Sequence, residues 1–281
     1  MVKKALLIGI NYIGSNLQLN GCINDVYNIR DLLIKYCNYS SDNIRVLSDK
    51  DIPPTNKNIK EYISWLISNN LPGDSLFFHY SGHGSNIPDQ NGDETDKRDE
   101  TIVPLDYATA GMITDDWLFQ NFISLVPEKV TLWALMDCCH SGTVLDLKYN
   151  YRSRCKLKPG KKMDGAYVPS NWTDEFGFSL EKSKEVKGNI YMFSGALDAQ
   201  YAADAFIAGK AQGAFTACFV ECFKSNLTKL SNGQERFNPT GLKIRHILKD
   251  VNVRLIMGGY TGQSSQFSTF KLWELESFFN P

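Results

Sequence analysis

The sequence lacks any apolar run approaching the roughly 18 residues needed to span a bilayer. It also lacks the core of a secretion signal, because Met1-Val-Lys-Lys precedes only the short apolar run Ala5 to Ile10. Net charge is nearly absent: 30 basic against 31 acidic side chains leave a formal charge of -1, which argues against a generally basic, nucleic-acid-binding surface. There is no internal repeat, no low-complexity tract and no Cys/His spacing suited to structural zinc. The seven cysteines (22, 37, 138, 139, 155, 218, 222) are odd in number and lie mostly inside apolar stretches, so reduced thiols fit better than a disulfide framework. A soluble, cytoplasmic protein with neither a membrane nor a nucleic-acid partner is expected.

What is present is enough for a substantial core: 281 residues, 43% of them apolar and 22% charged, as one large α/β domain or two small ones. The neutral total conceals two opposed blocks. From Ser85 to Asp116 nine acids (Asp89, Asp93, Glu94, Asp96, Asp99, Glu100, Asp106, Asp115, Asp116) face only Lys97 and Arg98. From Lys148 to Lys162 seven bases (Lys148, Arg152, Arg154, Lys156, Lys158, Lys161, Lys162) stand without an acid.

Short apolar runs alternate with helical spacing. Lys4 to Ile10, Ile44 to Leu47, Ser75 to Tyr80, Val130 to Met136 and Ile190 to Phe193 read as strands, with a last strand over Phe267 to Leu272. Helices are expected from Cys22 to Tyr36, from Asn58 to Ser68 with Thr55 as cap, over Asp116 to Leu125, and around Ala214 to Phe223 and Leu242 to Leu255. Near-continuous apolar strands separated by helices imply a mostly parallel sheet covered on both faces, an α/β/α sandwich. The stretch 148–188 lacks sustained periodicity and carries Pro159, Gly160, Gly165, Pro169 and Gly177, so it reads as an exposed, flexible linker. It divides a larger portion, 1–147, from a smaller one, 189–281, of one sheet.

Two strands run into unusual polar sequences, Phe77-Phe-His-Tyr-Ser-Gly-His83-Gly and Leu135-Met-Asp137-Cys138-Cys139-His140-Ser-Gly. Ligands of parallel α/β sheets bind beyond the carboxyl ends of the strands, where residues distant in sequence can meet. A cysteine nucleophile needs a base and backbone N–H groups for the oxyanion. His83 can be that base, and Gly84 permits close backbone approach. Successive residues leaving a strand point to opposite sides, so only one of Cys138 and Cys139 can face His83. His79 shares strand parity with His83 but lies deeper, and His140 is a poorer candidate still.

These two motifs, His79-Tyr-Ser-Gly-His83-Gly and Asp137-Cys138-Cys139-His140-Ser-Gly, resemble the catalytic motifs of the metacaspases, caspase-like cysteine peptidases. Gly21-Cys22-Ile-Asn-Asp25, Phe193 to Asp204 and Gly213-Ala-Phe-Thr216 are similar to further segments of that family. The resemblance implies a caspase-like fold, with Cys139 as nucleophile, His83 as base, and the N–H groups of Gly84 and Cys139 as oxyanion donors. It maps an S1 pocket onto Cys22, Asp25, Ser81 and Asp137, selecting protein or peptide substrates with Arg or Lys at P1, a preference two desolvated carboxylates would favour. It maps an activating, non-catalytic Ca²⁺ site onto Asp99, Asp115, Asp116 and Asp146, a hard, oxygen-rich set. An EF-hand over Asp89-Gln-Asn91-Gly-Asp93-Glu94 is rejected, since Glu94 stands where the loop requires glycine. A basic linker of preferred P1 residues suggests self-cleavage at Arg152, Arg154, Lys156 or Lys158.

The small-subunit-like segment departs from the family in having Ala199 after Asp198. The chain starts almost directly at its first strand, so no recruitment prodomain and a monomer are expected. Two other readings compete: an Asn-specific, legumain-like peptidase, and a non-catalytic calcium-sensing or aggregate-handling scaffold. The acidic S1 set opposes the first and the intact Cys-His pair the second.

Overall fold

A computed structural model describes residues 1–88, 98–139, 144–155, 162–163, 166–167, 174–180, 185–195, 204–207, 210–260, 263–272 and 274–281; for 153–155, 162–163, 166–167, 174–180 and 204–207 it describes the backbone alone. In chain order the elements are β1 (Lys3–Gly9), α1 (Cys22–Cys37), β2 (Ile44–Ser48), α2 (Asn56–Ile67), β3 (Ser75–Ser81), β4 (Gly84–Pro88), β5 (Arg98–Ile102), α3 (Tyr107–Ala110), β6 (Ile113–Thr114), α4 (Asp115–Asn121), β7 (Thr131–Asp137) and β8 (Tyr149–Cys155). There follow β9 (Lys162–Met163), β10 (Ala166–Tyr167), β11 (Asp174–Leu180), β12 (Asn189–Ser194), β13 (Asp204–Ile207), β14 (Lys210–Gly213), α5 (Ala214–Ser225), β15 (Thr228–Lys229), β16 (Glu235–Arg236), α6 (Ile244–Met257) and β17 (Gln266–Thr269).

The central sheet has eight strands in the order β11-β8-β17-β12-β7-β3-β1-β2. The run from β12 to β2 is parallel throughout, and β17, β8 and β11 add on antiparallel. Its parallel strands are apolar on both faces because helices cover both. On one side α1, α5 and α6 bury Ile29, Leu33, Phe219, Phe223 and Leu248 against Phe193, Phe267 and Phe279. On the other, α2 and α4 bury Ile59, Ile63, Leu66 and Leu118 against Leu6, Phe78 and Met136. The Thr55 hydroxyl accepts from the Asn58 N–H at 3.2 Å and caps α2 as its sequence predicts. No helix among the described residues is long and apolar enough to cross a membrane.

Three expectations change. The helix over Asp116 to Leu125 stops at Asn121, because Phe122 leaves helical geometry (φ -131°, ψ -68°) and only a short 3-10 turn, Ile123–Leu125, follows. The last strand ends at Thr269 instead of Leu272. The stretch 148–188 is not simply a linker, since β8 and β11 within it are strands of the central sheet. Tyr149 and Tyr151 there alternate with Asn150 and Arg152, a period-2 pattern hidden by the basic composition. Arg152 pairs with Gln266 on one side and Gly177 on the other, and its Nε donates to Gln266 Oε1 at 2.7 Å. Arg152 therefore lies in a strand paired on both edges. Arg154 has a described backbone only, and Lys156 and Lys158 lie outside the described residues.

Candidate active site

Strands β3 and β7 are parallel neighbours with Ser81 paired to Asp137, so their carboxyl ends stop side by side. The two polar motifs therefore emerge from adjacent strands. Beyond them the chain segments touch: a β-carbon placed on Gly84 would stand 2.9 Å from the carbonyl carbon and 3.4 Å from the nitrogen of Cys139, and would collide with its carbonyl oxygen. Only glycine fits there, so the segment that carries His83 runs against the one that carries Cys139. Cys138 is buried in the α2/α4 core while Cys139 is half-buried, the alternation expected on leaving a strand. None of the described cysteines forms a disulfide.

His83 is held by groups that its own motif does not reveal. Its Nε2 lies 2.7 Å from the Leu17 carbonyl oxygen. A carbonyl only accepts, so Nε2 carries hydrogen and Nδ1 keeps the lone pair that a base requires. The tautomer suits proton abstraction. His79, by contrast, is fully buried with Nδ1 2.9 Å from the Leu135 carbonyl, and burial pushes its pKa down to about 4. It is a core residue, and His140 lies outside the described residues.

Cys22, Asp25, Ser81 and Asp137 are all buried, and Asp25 is brought to Ser81 and, across Gly213, to Asp137. The Ser81 hydroxyl donates to Asp25 Oδ2 at 2.7 Å, and the Gly213 N–H donates to Asp25 Oδ1 and Oδ2 at 3.0 and 2.9 Å. Asp137 Oδ2 accepts from the Thr216 N–H at 2.8 Å and the Thr216 hydroxyl at 2.7 Å. Both carboxylates converge on Gly213: a β-carbon there would lie 2.8 Å from Asp25 Oδ2 and 2.8 Å from Asp137 Cγ. These donors compensate the loss of water around two buried acids. Gly213 and Thr216, at the start of α5, were visible in the sequence only as a family-like tetrapeptide with no assigned role.

A second acidic group lies on β5 and the first turn of α4. Carboxylate oxygens of Asp99, Asp115 and Asp116 lie within 4.8 Å of one another. Desolvation, then the charge of Asp146, pushes the Asp115 carboxyl up to about 7. The donor set is oxygen only, the chemistry of a hard divalent cation, and the raised pKa is what a neighbouring positive charge would relieve. The residues fit a calcium ion. Asp99 sits on β5, which pairs with β4 in the register Gly84 with Ile102 and Ile87 with Asp99; Asp146 sits on the segment that follows Cys139. Asp146 is not among the three whose oxygens gather, and acts on the group through its charge on Asp115. The strand character of 98–102 agrees with rejecting an EF-hand, and 89–97 lie outside the described residues.

Residues 3–148 match the family description "Metacaspase, peptidase C14 domain". The chain belongs to the metacaspases. It is 39% identical to Metacaspase-1 of Coccidioides immitis over 80% of this chain and 55% of that protein. It is 35% identical to Metacaspase-1 of Candida glabrata over 91% of this chain and 75% of that protein. Against the first of these metacaspases it therefore spans little more than half the length. Among solved structures, protein GSU0716 from Geobacter sulfurreducens superposes with a TM-score of 0.65 at 22% identity, covering 100% of this chain and 98% of that one, a likeness of fold.

Proposed function

We propose that this metacaspase is a calcium-activated cysteine endopeptidase that cleaves proteins after Arg or Lys. The observation that carries the reading is the approach of the Gly84 backbone to Cys139, which brings the segment of a histidine whose Nδ1 keeps its lone pair against that of a half-buried cysteine. The thiol proton passes to His83 Nδ1 as Cys139 Sγ attacks the scissile carbonyl. Backbone N–H groups of Gly84 and Cys139 receive the oxyanion. His83 then returns the proton to the departing amine, and water hydrolyses the acyl-enzyme with His83 again as base. Asp25 and Asp137, with Cys22 and Ser81, would hold a basic P1 side chain, to which two buried carboxylates offer charge-assisted hydrogen bonds.

Asp99, Asp115, Asp116 and Asp146 would hold calcium. When bound, the ion supplies charge neutralisation to a cluster whose members otherwise repel. These residues then fix the β4/β5 ribbon and the segment after Cys139 relative to each other. Self-cleavage would fall in the basic stretch, at Arg152, Arg154, Lys156 or Lys158, and the pairing of Arg152 on both edges of β8 argues for the other three.

Fluorogenic peptides with Arg, Lys, Asn or Asp at P1, assayed with and without calcium, test this reading. Arg and Lys peptides should turn over in calcium only, and Cys139→Ala should abolish both this activity and any chain cleavage seen by mass spectrometry. Turnover of the Asn peptide alone would favour a legumain-like specificity. Absence of Cys139 labelling by an alkylating peptide, with or without calcium, would leave the scaffold reading.

A further inference from the structure

Tyr12 lies just beyond β1 in the left-handed region, at φ 49°, a conformation that bulky residues rarely adopt and that persists only where the surroundings over-determine it. They do so here. The N–H groups of Asn11 and Ile13, on either side, donate to the two carboxylate oxygens of Asp49 at 2.7 and 3.0 Å. The Tyr12 carbonyl accepts from the Ser15 N–H and hydroxyl at 3.1 and 2.8 Å.

The strained turn aims a buried phenol at His83. The two ring centroids are 4.8 Å apart, inclined at 41°. The Tyr12 hydroxyl accepts the His83 backbone N–H at 3.0 Å and donates to the Val103 carbonyl at 2.6 Å. The Tyr80 hydroxyl donates to the His83 carbonyl at 2.7 Å and accepts the Val103 N–H at 3.1 Å. With one proton on each hydroxyl, these four bonds form a closed ring, and both backbone groups of His83 end on a tyrosine. The ring is built around one residue.

We propose that Tyr12 is a positioning residue for His83, anchoring its backbone through the hydroxyl and orienting its imidazole through the ring. The proposal rests on reading His83 and Cys139 as a dyad. The Tyr12 ring, 4.8 Å from the imidazole between centroids, packs against it and holds the orientation from which Nδ1 takes the Cys139 thiol proton. The Leu17 carbonyl fixes the tautomer, the two tyrosine hydroxyls fix the backbone, and the Tyr12 ring fixes the imidazole.

The test compares full-length wild type, Tyr12→Leu and Tyr12→Phe by two readouts: the pH dependence of Cys139 alkylation by iodoacetamide, followed by mass spectrometry, and kcat and KM on an Arg peptide in calcium. Tyr12→Leu should move the alkylation midpoint up by about one pH unit and lower kcat by about ten-fold, with KM changed less than about two-fold. Tyr12→Phe, which keeps the ring, should leave the midpoint in place and still lose kcat. A Tyr12→Leu midpoint that coincides with wild type overturns the proposal. Should Tyr12→Leu not fold, an unchanged kcat in Tyr12→Phe overturns it. A wild-type midpoint no lower than that of an ordinary thiol sinks the dyad reading itself, so the two failures are told apart.

Discussion

Gly84 and Cys139 meet backbone to backbone, so closely that a β-carbon on Gly84 would lie 2.9 Å from the Cys139 carbonyl carbon. The atoms in the way are main chain and cannot rotate aside. Gly84→Ala should push the His83 segment away from the thiol. Displacements of about 1 Å between reacting groups cost on the order of 100-fold in rate. The expected outcome is a loss of that size in kcat/KM with far-UV circular dichroism unchanged. Retention of activity within a few-fold would mean that this contact does not set the spacing of the dyad.

Of the two carboxylates proposed to hold P1, Asp25 accepts from Ser81 and Gly213, and Asp137 accepts from the N–H and hydroxyl of Thr216. Thr216→Val keeps the shape and the N–H but removes the 2.7 Å hydroxyl donor, and leaving a buried acceptor short of a partner costs about 1–3 kcal/mol. Its kcat/KM on Arg peptides should fall by about ten-fold, and that of Asp137→Asn by more. The iodoacetamide rate at Cys139 should be unchanged in Thr216→Val, because that reagent does not use the pocket. Equal losses in both assays would show that Thr216 supports the nucleophile instead of P1.

Much of this arrangement was legible in the sequence, for identifiable reasons. Strand ends such as Ser81 and Asp137 could be placed because apolar runs stop abruptly at them, and the helical spacing from Cys22 puts Asp25 in the first turn of α1. What could not be read were contacts made by main-chain atoms. The Leu17 carbonyl that selects the His83 tautomer and the Gly213 N–H that braces Asp25 carry no residue-type signal. Tyr12 acts through an unusual φ that the sequence does not announce. β8 was hidden because its alternation of tyrosines is interrupted by arginines, which suggested solvent where the chain actually pairs on two sides.

His79 makes stability depend on pH. Burial lowers its pKa from 6.5 to about 4 in the folded chain, the Leu135 carbonyl only partly opposing this. Above pH 6.5 neither state binds the proton and the group is neutral in its effect. Between about 6.5 and 4 the unfolded chain binds it and the folded chain does not, so stability falls as pH falls through that window. At about 1.4 kcal/mol per pH unit the loss by pH 4 is on the order of 3 kcal/mol. Urea unfolding of Cys139→Ala protein at pH 7.5, 6 and 5 measures it. His79→Gln, neutral in both states, should be less stable at pH 7.5 yet lose less on acidification. A variant that follows the wild-type slope would assign the acid sensitivity to other groups.

The acidic cluster predicts effects of opposite sign with and without calcium. Asp115 is raised to about 7 by burial and then by the charge of Asp146, so without an ion these carboxylates destabilise one another. Asp146 sits at φ 52°, a left-handed conformation that asparagine tolerates as well as aspartate, which makes Asp146→Asn a change of charge and little else. Without calcium the variant should melt at or above the wild-type temperature. With calcium at about 100 times its Kd, wild type should gain about 2.7 kcal/mol, read as a rise in Tm, and the variant should gain far less. The same variant should lose the calcium dependence of Arg-peptide turnover, because Asp146, on the segment after Cys139, acts electrostatically on Asp115 of the group that includes Asp99 on β5. A wild-type Tm indifferent to calcium would remove the ion from this cluster, and activity would then have to be explained without it.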